Sequence, residues 1–125
     1  MPRILIADDH AIVRRYVREA LEDEGIWEVC GEAATGREAV GLTAALKPDV
    51  VVLDLSMPEV NGMEAAREIH KKFPGTEIFI LSMHDAPELI VEALASGARA
   101  CLLKSDLRPL MAALHDTLQQ RQSKQ

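Results

Sequence analysis

The chain has no excess of basic charge, no apolar run of membrane length and very little cysteine. Fourteen lysines and arginines stand against twenty aspartates and glutamates, a net charge of −6 over 125 residues. A nucleic-acid-binding segment needs a basic face to meet phosphates, so no direct nucleic-acid contact is expected here. No apolar stretch approaches the roughly 20 residues of a membrane-spanning helix. Met1-Pro2-Arg3 leads into a strand-like run rather than a secretory leader. The expectation is a cytoplasmic chain with no membrane contact. Cys30 and Cys101 lie in separate apolar runs without metal-ligand spacing. Two free thiols in a reducing compartment are expected. No repeat and no internal domain boundary is visible.

What is present is enough apolar sequence, 48%, for one sizeable core. Arg3–Ala7 is a short apolar run closed by Asp8-Asp9. From His10 the period becomes helical: Ile12, Val13, Tyr16, Val17, Ala20 and Leu21 form a stripe opposite Arg14, Arg15, Arg18, Glu19 and Glu22. Trp27–Ala33 alternates as a half-exposed strand. Thr35-Gly36-Arg37-Glu38 has capping-box spacing and opens a helix to about Lys47. A third helix, Gly62–Phe73, takes Asn61 as its cap and turns Met63, Ala66, Ile69 and Phe73 inward. Glu77–Ser82 is a fourth strand. Asp85 is expected to cap a fourth helix with Pro87 in its first turn and Leu89, Ile90, Ala93 and Leu94 inward. Arg99–Leu103 is a fifth strand. Asp106 is expected to cap the last helix, whose inward stripe is Leu107, Leu110, Met111, Leu114 and Leu118. The polar end, Gln119–Gln125, reads as a frayed terminus or the start of a linker.

The organising stretch is Pro48–Pro58, P-D-V-V-V-L-D-L-S-M-P. Val50–Leu55 reads as a strand buried on both faces of a parallel sheet. An aspartate at its end is out of character, because ionised carboxylates are rarely buried without a partner. Five strands alternating with five helices give an α/β fold, (βα)5, with a parallel sheet, helices on both faces and right-handed crossovers. In such open sheets the functional crevice lies beyond the carboxyl ends of the strands. Asp8, Asp9, Asp54, Ser82 and Lys104 all fall at carboxyl ends, so they are expected on one rim. Crowded carboxylates repel, and a hard divalent cation relieves them; magnesium suits carboxylate oxygens and keeps waters that a phosphate can displace. Aspartate is a covalent acceptor of phosphoryl groups. The set fits reversible phosphorylation of Asp54, with its charge shared by the metal and Lys104 and with the Ser82 hydroxyl as a donor.

The acidic pair Asp8-Asp9, the context D-L-S-M-P-E-V-N-G around Asp54, Ser82 and Lys104 resemble the receiver domain of a two-component response regulator. The phrasing I-A-D-D-H, L-S-M-H-D and L-L-K-S-D resembles receivers joined to LuxR/NarL-type helix-turn-helix output domains. The resemblance implies a flavodoxin/CheY-like doubly wound sheet of order 2-1-3-4-5, a receiver domain over residues 1–121 and a polar tail over 122–125. It implies that Asp54 is phosphorylated by a sensor histidine kinase. Mg2+ would be held by Asp8, Asp9, Asp54 and the backbone carbonyl of Ser56, with Asp8 acting largely through water. Lys104 would pair with the phosphoryl group and Ser82 would be the switch hydroxyl. Homodimerisation and control of transcription, through an attached or partner DNA-binding domain, are also implied. No turnover activity is implied beyond self-phosphorylation and autodephosphorylation.

This sequence departs from the pattern in three places. Cys101 stands where relatives carry an aromatic switch, so coupling is expected through the loop Met83–Pro87. Ser105 stands where many relatives carry a cis proline, and a trans bond is expected. Ser56 and His84 occupy positions that tune acyl-phosphate lifetime. His10, His70, His84 and His115 share no ligand spacing, and Met57 and Met63 read as packing. A haloacid-dehalogenase-type phosphatase would need a second aspartate at Ser56 and a substrate cap. A stand-alone or degenerate receiver acting only as an interaction module is the alternative to a phosphorylated switch.

Overall fold

The computed structural model describes residues 1–123. Strand and helix alternate throughout as β1 (Arg3–Ala7), α1 (Ala11–Glu24), β2 (Glu28–Ala33), α2 (Gly36–Leu46), β3 (Val50–Asp54), α3 (Gly62–Lys72), β4 (Glu77–Ser82), α4 (Pro87–Ala95), β5 (Ala100–Leu103) and α5 (Arg108–Ser123). The strands form one sheet of order β2-β1-β3-β4-β5, and every pairing is parallel. The expected (βα)5 architecture and strand order are thus observed. α5 runs two residues past the expected boundary at 121, and the last two residues of the 122–125 tail lie outside the described part of the chain.

β3 is central because its sequence allows nothing else: all five of its residues are buried. Strand side chains alternate between faces, and the core divides accordingly. Ile4, Ile6, Val50, Val52, Phe79 and Leu81 meet Val17 and Leu21 of α1 and Leu110 and Leu114 of α5. Leu5, Val51, Leu53, Ile78 and Ile80 meet α2, α3 and α4 through Ala39, Met63, Ala66, Ile69 and Ala93. Burying each Val, Leu or Ile contributes roughly 1.5–3 kcal/mol, so β3 holds both layers in place.

Helix starts follow the sequence at α2 and α3 and shift by one residue at α4 and α5. Thr35 Oγ1 accepts the Glu38 N–H at 3.0 Å, while Glu38 Oε1 accepts from Ala34, one residue before the partner of a complete capping box. Asn61 Oδ1 accepts the Glu64 N–H at 3.0 Å. Leu107, not the expected Asp106, takes the cap position of α5; Asp106 stands one residue earlier and its carboxylate accepts the Arg108 N–H at 3.0 Å. Asp85 does not cap α4. Proline drives its predecessor out of the helical region, so Ala86 is extended (φ −125°, ψ 126°), takes the cap position and leaves the helix start without a side-chain cap.

Two inward stripes are narrower than their periodicity predicts. Ile12 is 84% exposed and Tyr16 51%, because the first turns of α1 begin beyond the strand ends, where no apolar surface lies beneath. On α4, Ile90 and Leu94 are exposed, as is Val91, and only Ala93 is fully buried. β5 beneath α4 is a four-residue edge strand. It is too short to cover more of the helix. Met57 and Met63 pack into the core as expected. No peptide bond among the described residues is cis, so Lys104–Ser105 is trans.

Candidate functional site

Three strand ends meet at one buried ammonium. Lys104 Nζ lies 2.8 Å from Asp8 Oδ2 and 2.9 Å from Asp54 Oδ1, and both aspartates are 3% exposed. The two-residue alternation explains this company. Asp8 continues the Ile4–Ile6 side of β1, Asp54 the Val50–Val52 side of β3, and Lys104 the Leu102 side of β5, all facing the α1/α5 layer. Ser82 continues the Ile78–Ile80 side of β4 and belongs to the other layer.

Ser82 accordingly makes no bond to Asp54. Its hydroxyl donates to the His84 carbonyl and accepts the His84 N–H, each at 3.0 Å. It still lines the same cavity of about 190 Å3, together with His10, Asp54, Ser56, Met83, His84 and Lys104. Its backbone carbonyl accepts the Lys104 N–H at 2.9 Å, tying β4 to the lysine. All five residues expected on the rim are there: Lys104 joins Asp8 and Asp54, Asp9 lies beside both aspartates, and Ser82 is held to one side.

The electrostatics are uneven. Burial lifts the Asp54 carboxyl above the ordinary carboxylate range; Lys104 opposes that lift, the Asp8 charge adds to it, and the net direction is upward. Burial alone would lower the Lys104 ammonium, but its bonds to Asp8 and Asp54 prevail and hold it above its usual value. Asp54 Oδ1 also accepts the Ser56 N–H at 3.3 Å, whereas Asp54 Oδ2 is buried and accepts no hydrogen bond from any described residue. A buried unsatisfied acceptor costs roughly 1–3 kcal/mol, more when charged. Asp8, Asp9, His10 and Asp54 each offer one ligand atom, all within 4.8 Å of one another. Hard oxygen donors around an orphaned carboxylate oxygen fit a divalent cation.

The support beneath the site was only partly visible in the sequence. Arg14, assigned to the solvent side of α1, donates to the Asp8 carbonyl at 2.6 Å and pairs with Glu32 at 3.1 Å, so it props the acidic loop. Its place three residues after the start of α1 was the available signal. His10, grouped with histidines lacking ligand spacing, sits 3.1 Å from Asp9 Oδ1 through Nδ1. His84 also reaches the cavity; His70 and His115 lie elsewhere. Gly62 admits the loop after Asp54: a Cβ there would overlap the Asp54 carbonyl and approach Leu55 Cα to 2.9 Å. Glu59, at φ 67°, is a non-glycine residue in left-handed backbone in the same loop.

The response regulator receiver domain family matches residues 4–115. The chain belongs to that family. Over 102 residues this receiver is 43% identical to the uncharacterized transcriptional regulatory protein YhcZ of Bacillus subtilis, covering 82% of this chain and 48% of that one. It is 40% identical to the chemotaxis protein CheY of Thermotoga maritima, covering 82% and 84%. The signal receiver domain of the response regulator NarL from Mycobacterium tuberculosis superposes with a TM-score of 0.87 at 35% identity, covering 93% of this chain and 94% of that one. This receiver therefore spans about half of its transcriptional relative and most of the single receiver. No helix among the described residues is long and apolar enough to cross a membrane.

Proposed function

We propose that Asp54 is the phosphoacceptor of this two-component receiver. The observation that carries the reading is the unpartnered Asp54 Oδ2 at the cavity rim, beside a lysine that occupies the other carboxylate oxygen. An oxygen of the Asp54 carboxylate attacks the phosphorus of a phosphohistidine on a sensor histidine kinase. The new O–P bond replaces the N–P bond, whose electron pair returns to the imidazole. Lys104, released from Asp54 Oδ1, pairs with phosphoryl oxygens by charge-assisted hydrogen bonds. Asp8, Asp9, Asp54 and the backbone carbonyl of Ser56 would hold magnesium, which would supply charge neutralisation to the phosphoryl group. The chain does no chemistry beyond this transfer and the later hydrolysis of the acyl phosphate.

The switch is Ser82. To reach a phosphoryl oxygen it must leave both bonds to His84, exchanging two neutral hydrogen bonds of about 1 kcal/mol each for one charged bond of about 1.5–3 kcal/mol. That net gain is small beside the roughly 5.5 kcal/mol that carries a two-state equilibrium from 1:99 to 99:1. The remainder comes from the altered Lys104 contacts and from assembly, taken here as a homodimer. The output is transcription, through a DNA-binding domain attached beyond a receiver of residues 1–121 or supplied by a partner. The roughly half-length match to a transcriptional relative supports this. The setting is cytoplasmic.

The test is labelling by acetyl phosphate, followed by intact-protein mass spectrometry with magnesium or with chelator. Labelling should require magnesium and vanish in Asp54→Asn. Retention of the label in that variant would overturn the assignment.

A further inference from the structure

Lys104 divides the oxygens of the site. Its ammonium takes Asp8 Oδ2 and Asp54 Oδ1, leaving Asp8 Oδ1, the Asp9 carboxylate and Asp54 Oδ2 for other partners. His10 Nδ1 stands 3.1 Å from Asp9 Oδ1 and 3.4 Å from Asp8 Oδ1. Adjacent ligands on an octahedral cation with bonds of roughly 2.1 Å lie about 3.0 Å apart. On a tetrahedral cation with similar bonds the separation is about 3.3 Å. The imidazole nitrogen thus stands from each of two carboxylate oxygens at the separation of neighbouring ligands on one ion. The full set with Asp54 fits within 4.8 Å, little more than the roughly 4.2 Å between opposite ligands.

A second, independent observation points the same way. Asp54 is 3% exposed, and its Oδ2 accepts no hydrogen bond from any described residue. The backbone of His10 is fixed by its N–H donating to Asp8 Oδ1 at 2.8 Å, while its side chain is 65% exposed and has no place in the core.

We infer that His10 is a protein ligand to the cation held by Asp8, Asp9 and Asp54, and that its nitrogen tilts the site from magnesium toward first-row transition dications such as manganese(II). The inference rests on the cation site proposed above. Its chemistry is that of the donor: magnesium prefers oxygen throughout, whereas imidazole is a borderline donor that transition dications accept readily. His10→Ala therefore removes the nitrogen donor and leaves oxygen donors alone at the site.

The test uses the full chain and two probes, Mg2+ and Mn2+, titrated by calorimetry into wild type, His10→Ala and His10→Asn. The ratio of manganese to magnesium affinity should fall roughly tenfold or more in both variants, since even partners one shell out from a metal are worth that much. Unchanged circular dichroism and melting temperature without metal report that the variants keep the fold. Electron spin-echo modulation from directly bound imidazole nitrogen should be present in the Mn2+-loaded wild type and absent from both variants. An unchanged affinity ratio, or bound Mn2+ without nitrogen modulation, would overturn the inference and leave the cation site standing. Failure of both ions to bind wild type would overturn the two together.

Discussion

The Ser82 hydroxyl and the His84 main chain hold each other by two hydrogen bonds of 3.0 Å, one in each direction. A proposed switch residue is therefore clasped in the unphosphorylated chain rather than free. Ser82→Ala should remove both bonds, cost about 2 kcal/mol of stability and speed amide exchange at His84. Fluoroberyllate, which stands in for the phosphoryl group, should shift the His84 amide strongly in wild type and weakly in the variant. Equal NMR shifts in the two proteins would remove Ser82 from the relay.

Asp54→Asn should stabilise the fold in chelator. Burial holds the folded-state carboxyl above its unfolded value. The ionised group therefore costs stability above its folded pKa, and that cost disappears as pH falls below the unfolded value of about 3.9. Replacing it by a neutral isostere should raise the unfolding free energy at pH 7 on the order of 1 kcal/mol. Urea titrations should show the gain shrinking toward pH 4. A clear loss of stability at pH 7 would contradict the argument.

Gly62→Ala should damage stability and phosphorylation together. The new methyl group meets the Asp54 carbonyl and Leu55 Cα, which are backbone and cannot swing aside. Overpacking of this kind costs roughly 1–3 kcal/mol, and relief displaces the residue that accepts the phosphoryl group. The rate of acetyl-phosphate labelling should drop along with the melting temperature. Gly41→Ala, which meets nothing within 4 Å, is the control and should leave the labelling rate alone.

Asp106 should titrate at about 2, because the Arg108 side chain and then its backbone N–H bond the carboxylate. A depressed carboxylate contributes stability above its unfolded pKa and loses it as pH falls through the folded one. Here that window runs from the ordinary value of about 3.9 down to about 2. Carbon-detected NMR should find the midpoint there, and Arg108→Gln should return it toward 3.9. An ordinary midpoint in wild type would show that the bidentate pair does not persist in solution.

Much of this was legible in the residues because strand periodicity is a strong signal. The apolar run before Asp54 announced a central strand, and the carboxyl-end rule gathered Asp8, Asp9, Asp54, Ser82 and Lys104 on one rim. Counting by twos separates Ser82 from Asp8, Asp54 and Lys104. Helix stripes proved less informative. Ile12, Tyr16, Ile90 and Leu94 satisfy the helical period but face no sheet, since period reports which side chains align and not how far the partner surface extends. Arg14 and His10 were missed for a related reason. A charged or imidazole side chain at a helix start looks solvated until the adjoining loop folds back over it.

α4 has a consequence of its own. It is nine residues long, starts without a side-chain cap and buries a single alanine completely, while three of its apolar side chains face water. Releasing Ala93 from its contacts costs far less than releasing the leucines that fasten α1 or α5. α4 should thus be among the first segments to exchange its amide hydrogens and a weakly cooperative patch at the edge of an otherwise cohesive sheet. It follows directly after the Ser82–His84 clasp. A small free-energy change at that clasp can therefore alter how long α4 stays docked without disturbing β3.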